Sequence, residues 1–74
     1  MVTEKIDTSN VQKLRKLKNL TQEELGQNIG VTRQTIIAIE KGNYMPSVLL
    51  AIKISHFFKK PVDYLFKYTT HAHQ

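Results

Sequence analysis

The stretch Thr21-Gln22-Glu23-Glu24-Leu25-Gly26-Gln27-Asn28-Ile29-Gly30-Val31-Thr32-Arg33-Gln34-Thr35-Ile36-Ile37-Ala38-Ile39-Glu40-Lys41-Gly42 decides the fold. Thr21 followed by Glu24 forms a capping box, in which the hydroxyl accepts one orphan N–H and the carboxylate reaches back to another. Leu25 and Ile29, four apart, share the inward face of the helix that starts there, and Gly30 ends it. Thr32 caps the next helix and leaves Arg33, Gln34 and Thr35 in its first turn. Ile36 and Ile39 face inward, and Gly42 closes this helix. Only Gly30 and Val31 lie between the first helix and the second cap. So short a turn makes the two helices cross sharply instead of lying antiparallel.

The flanks read as further helices. Upstream, a helix is predicted over about Ser9–Lys18, with Ser9 or Asn10 as N-cap. Val11, Leu14 and Leu17 form its apolar stripe, and Lys13, Lys16 and Lys18 fall mostly outside. Asn19 tolerates the left-handed conformation of a C-cap, and Leu20 re-enters the core. Downstream, a fourth helix is predicted over about Ser47–Lys59, with Val48, Leu50, Ala51, Ile54, Phe57 and Phe58 as a wide apolar face. A fifth, from Pro61 to about Phe66, starts on proline, whose missing N–H costs nothing there. Val62, Leu65 and Phe66 are its expected core face. The polar stretch Lys67–Gln74 is expected to fray. The expectation is therefore an all-α, compact five-helix bundle, one domain over residues 1–74 with a folded core of about 9–66.

Composition narrows the function. A chain of 74 residues buries only about 60% of its unfolded surface and supports one simple core. No run approaches the ~18 apolar residues of a membrane span, and no signal sequence follows Met1. There is no cysteine, hence no disulfide framework or thiolate metal site. A cytoplasmic location is expected. Eleven Lys and Arg against six Asp and Glu give a net charge of +5. That excess favours a polyanionic partner, nucleic acid before anionic membrane.

The central stretch also meets the needs of a helix-turn-helix: a small residue where the helices touch (Gly26), a left-handed turn residue (Gly30), and apolar residues across the crossing (Leu25, Ile29, Val31, Ile36, Ile39). On these residues, and on Asn19–Leu25, Gly30–Ile36, Ile39–Gly42 and Val62–Phe66, the chain resembles the phage repressor and Cro-type, or Xre-type, helix-turn-helix family from Val11 to about Phe66. The resemblance implies a lambda-repressor-like bundle whose third helix lies in the DNA major groove while the second crosses the backbone. It implies that Gln22 touches a phosphate and that Arg33, Gln34 and Thr35 read bases or backbone. It further implies that Asn43 meets the backbone after the recognition helix, and that Arg15 and Glu40 form a structural ion pair. Two departures stand out. Gly26 replaces the family's usual alanine, at up to about 1 kcal/mol of helix propensity. Ile37 and Ala38 replace residues that are often polar, which leaves Ala38 a methyl contact, for instance to thymine.

The chemistry suits those roles. Arg33 can fork to O6 and N7 of guanine, and Gln34 can pair with N6 and N7 of adenine. Thr32 is a cap whose hydroxyl can also meet a phosphate. Of the lysines, Lys41 beside the end of the recognition helix is the foremost phosphate contact; Lys13, Lys16, Lys18, Lys53, Lys59 and Lys60 read mainly as solvated surface. His71 and His73 lack a third ligand and predict no metal site. His56 reads as a surface residue, and Asp63 as support for the first turn of the fifth helix. No nucleophile–base pair, phosphate loop or paired carboxylates point to an enzyme, and no cofactor is expected.

The expected partners are double-stranded DNA and a second copy of the chain. A single module reading three or four base pairs supplies too little specificity. Leu49, Ile52, Phe57, Phe58, Tyr64, Leu65, Phe66 and Tyr68 exceed the needs of so small a core, so a homodimer interface is expected at Phe57, Tyr64, Leu65 and Phe66. The function implied is a transcriptional regulator, foremost a repressor. The alternatives are an antitoxin-like or phage-maintenance DNA-binding protein, or a protein-interaction module that has lost DNA binding.

Overall fold

The structure is a computed structural model; it describes residues 2–72, and the side chains of residues 5–68. In chain order it contains β1 (Val2–Asp7), α1 (Ser9–Leu17), α2 (Gln22–Ile29), α3 (Arg33–Glu40), α4 (Val48–Phe58), α5 (Val62–Leu65) and β2 (Lys67–Ala72). The five helices lie where the periodicity places them. The strands correct the all-α expectation and the frayed tail: β1 and β2 pair antiparallel, from Val2 opposite Ala72 to Asp7 opposite Lys67. Both segments are rich in β-branched or aromatic residues (Val2, Thr3 and Ile6; Tyr68, Thr69 and Thr70), which suit a pleated strand better than a helix. Neither has a partner nearby in sequence. The bundle brings them together.

Helix ends follow local chemistry. The capping box at Thr21 is formed in both directions, with Glu24 N donating to Thr21 Oγ1 at 3.0 Å and Thr21 N to Glu24 Oε1 at 2.8 Å. Gly30 closes α2 at φ 81°. Asn19, at φ 57°, ends α1 with Leu20 N donating to the carbonyl of Arg15 at 3.1 Å. The start of α1 differs from expectation: its N-cap is Thr8, not Ser9 or Asn10. Thr8 spends its hydroxyl elsewhere, donating to the carbonyl of Ile39 at 2.7 Å in the bundle interior. Asp7 takes over part of the capping by accepting from Ser9 N at 2.9 Å. That bond holds the Asp7 carboxyl below its ordinary pKa.

The core consists of Val11, Leu25, Ile29, Ile36, Ile39, Leu50, Ile54, Phe58, Leu65 and Phe66. Leu14, Ala51 and Phe57 pack against it half-buried, whereas three expected core residues are exposed: Leu17 at 69%, Val48 at 77% and Val62 at 39%. For Leu17 the reason is the helical period. Positions three apart drift by about 60° per step, so Leu17 stands roughly 120° from Val11. The inward place four residues after Val11 belongs to Arg15 instead.

Candidate nucleic-acid interface

The crossing of α2 and α3 is closer than a side chain at position 26 allows. A Cβ on Gly26 would lie 2.6 Å from the carbonyl oxygen of Val31. That contact holds the turn: the carbonyl of Gly26 accepts from both Gly30 N at 2.8 Å and Val31 N at 2.9 Å. The departure from alanine has a steric reason here, beyond its cost in helix propensity.

Beneath the crossing lies a buried charge network. Arg15 Nε donates to Glu40 Oε2 at 2.7 Å, and Nη2 to Oε1 at 3.1 Å, so the pair is bidentate. Arg15 Nη1 donates to the carbonyl of Leu20 at 2.7 Å. Gln22 Nε2 donates to Glu40 Oε1 at 3.1 Å. The two charged side chains are only 9% and 2% exposed, respectively. One arginine thus joins α1, the α1–α2 turn and the end of α3, and Glu40 adds the start of α2.

At the other end of α3, Thr32 accepts from Thr35 N at 3.3 Å, and the two threonine hydroxyls lie 3.1 Å apart. Thr35 is half-buried and spoken for locally. Arg33 and Gln34 are exposed on the same turn. Among the described residues, neither has a side-chain hydrogen bond or ion pair. Ala38 is half-buried on the same helix; Lys41 and Asn43 are exposed just past its end. Asn43 N donates to the carbonyl of Ala38 at 3.0 Å, and Gly42 N to that of Ile39 at 3.0 Å. These bonds fix the course of the chain leaving α3. Gln22 is half-buried at the start of α2.

The expected dimer residues divide. Leu65 and Phe66 are buried core, so neither offers a surface. Both belong to the core face expected of α5, and that role is the one the structure gives them. Phe57 is half-buried, edge-on to Phe58 with centroids 5.1 Å apart. Tyr64 remains exposed, with Lys60 Nζ 5.4 Å from its ring centre. Exposed apolar residues lie instead at Met45, Val48, Leu49, Ile52 and Val62. His56 is exposed, and Asp63 sits in the first turn of α5. His71 falls in β2 with its side chain outside the described part, and His73 lies outside the described residues. No described helix is long and apolar enough to cross a membrane.

Known proteins are similar to this chain in sequence. The chain is 57% identical over 54 residues to an HTH-type transcriptional regulator of Methanocaldococcus jannaschii, an overlap of 73% of this chain and 82% of that one. It is 50% identical over 56 residues to the HTH-type transcriptional regulator YgzD of Bacillus subtilis, covering 76% of this chain and 85% of YgzD. It is 34% identical over 55 residues to the cryptic phage CTXphi transcriptional repressor RstR of Vibrio cholerae, covering 74% of this chain but only 50% of RstR. A family model described as helix-turn-helix matches residues 11–65, all five helices apart from the first two residues of α1. On that match, this chain belongs to the helix-turn-helix family.

Proposed function

We propose that this chain is a sequence-specific, double-stranded-DNA-binding transcriptional regulator, a repressor in particular, that works in the cytoplasm by placing α3 in the major groove. One observation carries the reading most: the capped first turn of α3 holds Arg33 and Gln34 exposed and uncommitted, on a helix anchored at its far end by a buried ion pair. Side chains that pair bases must be both positioned and available, and these are. Thr32, Thr35 and Ala38 complete the reading face. Gln22, Lys41 and Asn43 serve as backbone anchors. The Gln22 amide has two protons; Glu40 takes one, and the other remains for a phosphate. A repressor is favoured by the name of the Vibrio cholerae relative, and occupancy of an operator needs no catalysis.

We also propose a homodimer on paired half-sites, with an interface different from the sequence-based one. Tyr64 stays in it, joined by Met45, Val48 and Val62, whose apolar surface is exposed.

Selection of bound sequences from random duplex DNA at a stated salt concentration tests the function. The expected result is a discrete motif, repeated in inverted orientation about one helical turn apart. Recovery of no motif, with binding that is purely non-specific, would overturn the reading.

A further inference from the structure

An open groove of about 690 Å3 runs between the end of α2 and α4, and its Lys53 also borders a cavity lined by Val31 and Thr35 at the start of α3. Gln27, Asn28, Ile29 and Gly30 form one wall; Ile52, Lys53, His56 and Phe57 form the other. Lys18 stands over the Phe57 ring, its Nζ 5.7 Å from the centre. The groove therefore has an apolar floor in Ile29, Ile52 and Phe57. Its α4 rim is basic or hydrogen-bond-donating, and no carboxylate lines it.

We propose that this groove is a docking site for an acidic peptide segment of a partner protein, one that carries an apolar anchor residue. The two walls differ in sign, and that asymmetry selects the occupant. The α2 wall is the C-terminal turn of a helix, whose closing carbonyls carry the negative end of its dipole and accept hydrogen bonds. The α4 wall offers Lys53 and His56, with Lys18 at its margin. A peptide has N–H groups for the first wall, carboxylates for the second and an apolar side chain for the floor. A nucleic-acid backbone has only acceptors and negative charge, so it suits one wall and is repelled by the other. A small molecule would be poorly enclosed by so open a groove. Neither Arg33 nor Gln34 lines the groove, so a short peptide held there is compatible with an occupied operator. Basic residues that the DNA-reading face does not use acquire a role.

The test is titration of the full-length, isotope-labelled chain with a short amidated helical peptide bearing paired leucines on one face and glutamates beside them, followed by backbone amide shifts. A peptide with lysine in place of each glutamate is the control. The expected result is saturable shifts confined to residues 27–30 and 52–57 with the acidic peptide, at least tenfold weaker binding of the control, and a comparable loss in the Lys53→Glu and His56→Glu variants. His56→Glu should leave operator affinity unchanged. Three results would overturn the proposal. One is the absence of shifts. A second is shifts centred on residues 33–43, meaning that the peptide merely mimics DNA at the reading helix. The third is groove shifts produced by duplex DNA, or by raising the concentration of the chain alone, which would give the groove to the operator or to a second copy.

Discussion

Gln22 at the start of α2 and Glu40 at the end of α3 share a 3.1 Å hydrogen bond, on the same carboxylate oxygen that accepts from Arg15. The proposed phosphate anchor is thereby fixed by the group that pins the end of α3. Gln22 can present its second amide proton to DNA only in the orientation that Glu40 imposes.

The buried pair is expected to matter more to stability than surface ion pairs do. Arg15→Ala or Glu40→Ala alone should cost about 3–5 kcal/mol, because each leaves a buried charge without its partner. The double variant should lose less than the sum. Urea unfolding of all four proteins measures this; strict additivity would mean that the two side chains do not interact in solution.

Arg33→Ala and Gln34→Ala should each weaken operator binding by about 1–3 kcal/mol and relax preference at one or two base positions. Their folding stability should stay near that of the parent, since both side chains are exposed. Repeating the sequence selection with each variant reads this out. An unchanged motif at full affinity would remove both residues from the reading face.

Anchors and readers should separate in salt titrations. Lys41→Ala should weaken all sequences alike and reduce the slope of log affinity against log salt by about 0.9, the share of one neutralised phosphate. Gln22→Ala should also weaken all sequences alike but leave the slope unchanged, because its amide carries no charge. If Lys41→Ala leaves the slope intact, Lys41 lies off the phosphate path.

Gly26→Ala opposes two effects of known sign. Helix propensity favours alanine by about 1 kcal/mol. The new Cβ, however, would stand 2.6 Å from the Val31 carbonyl oxygen, a backbone atom of a residue whose own N–H is bonded to the Gly26 carbonyl. Relieving that contact means parting α2 from α3, so a net loss of stability and a weaker operator complex are expected. A variant more stable than its parent in thermal unfolding would show that the crossing adjusts freely.

Most of the helical frame was legible because its signals are local. Thr21 with Glu24, Thr32 before a polar turn, and glycine or asparagine after the last apolar residue each specify a helix end within a few residues. The capped first turn of α3, with Arg33 and Gln34 on it, was legible for the same reason. What sequence reading missed depends on distance along the chain. Nothing in Thr8 announces that its hydroxyl will seek a carbonyl thirty-one residues away. Val2–Asp7 and Lys67–Ala72 become strands only because five helices carry them side by side. Leu17 and Val48 count as apolar in any periodic reading, but the packing geometry turns them outward. Leu65 and Phe66 are buried, as the core face of the fifth helix requires, and that burial is what takes them out of the dimer surface also expected of them. Lys59 holds a left-handed φ of 56° with no residue-type signal at all.

The pairing of β1 with β2 sets an order of events during synthesis. Residues 2–7 are made before the helical bundle, yet their partner is residues 67–72, made only after it. At about 5–20 residues per second, β1 spends several seconds exposed with no strand beside it. The bundle can assemble meanwhile, since its capping signals are local. The ribbon then closes last, as a seam across a finished body. Lys5 and Glu4 place charge on the waiting strand, a composition that discourages pairing with the wrong chain while its own partner is still being made.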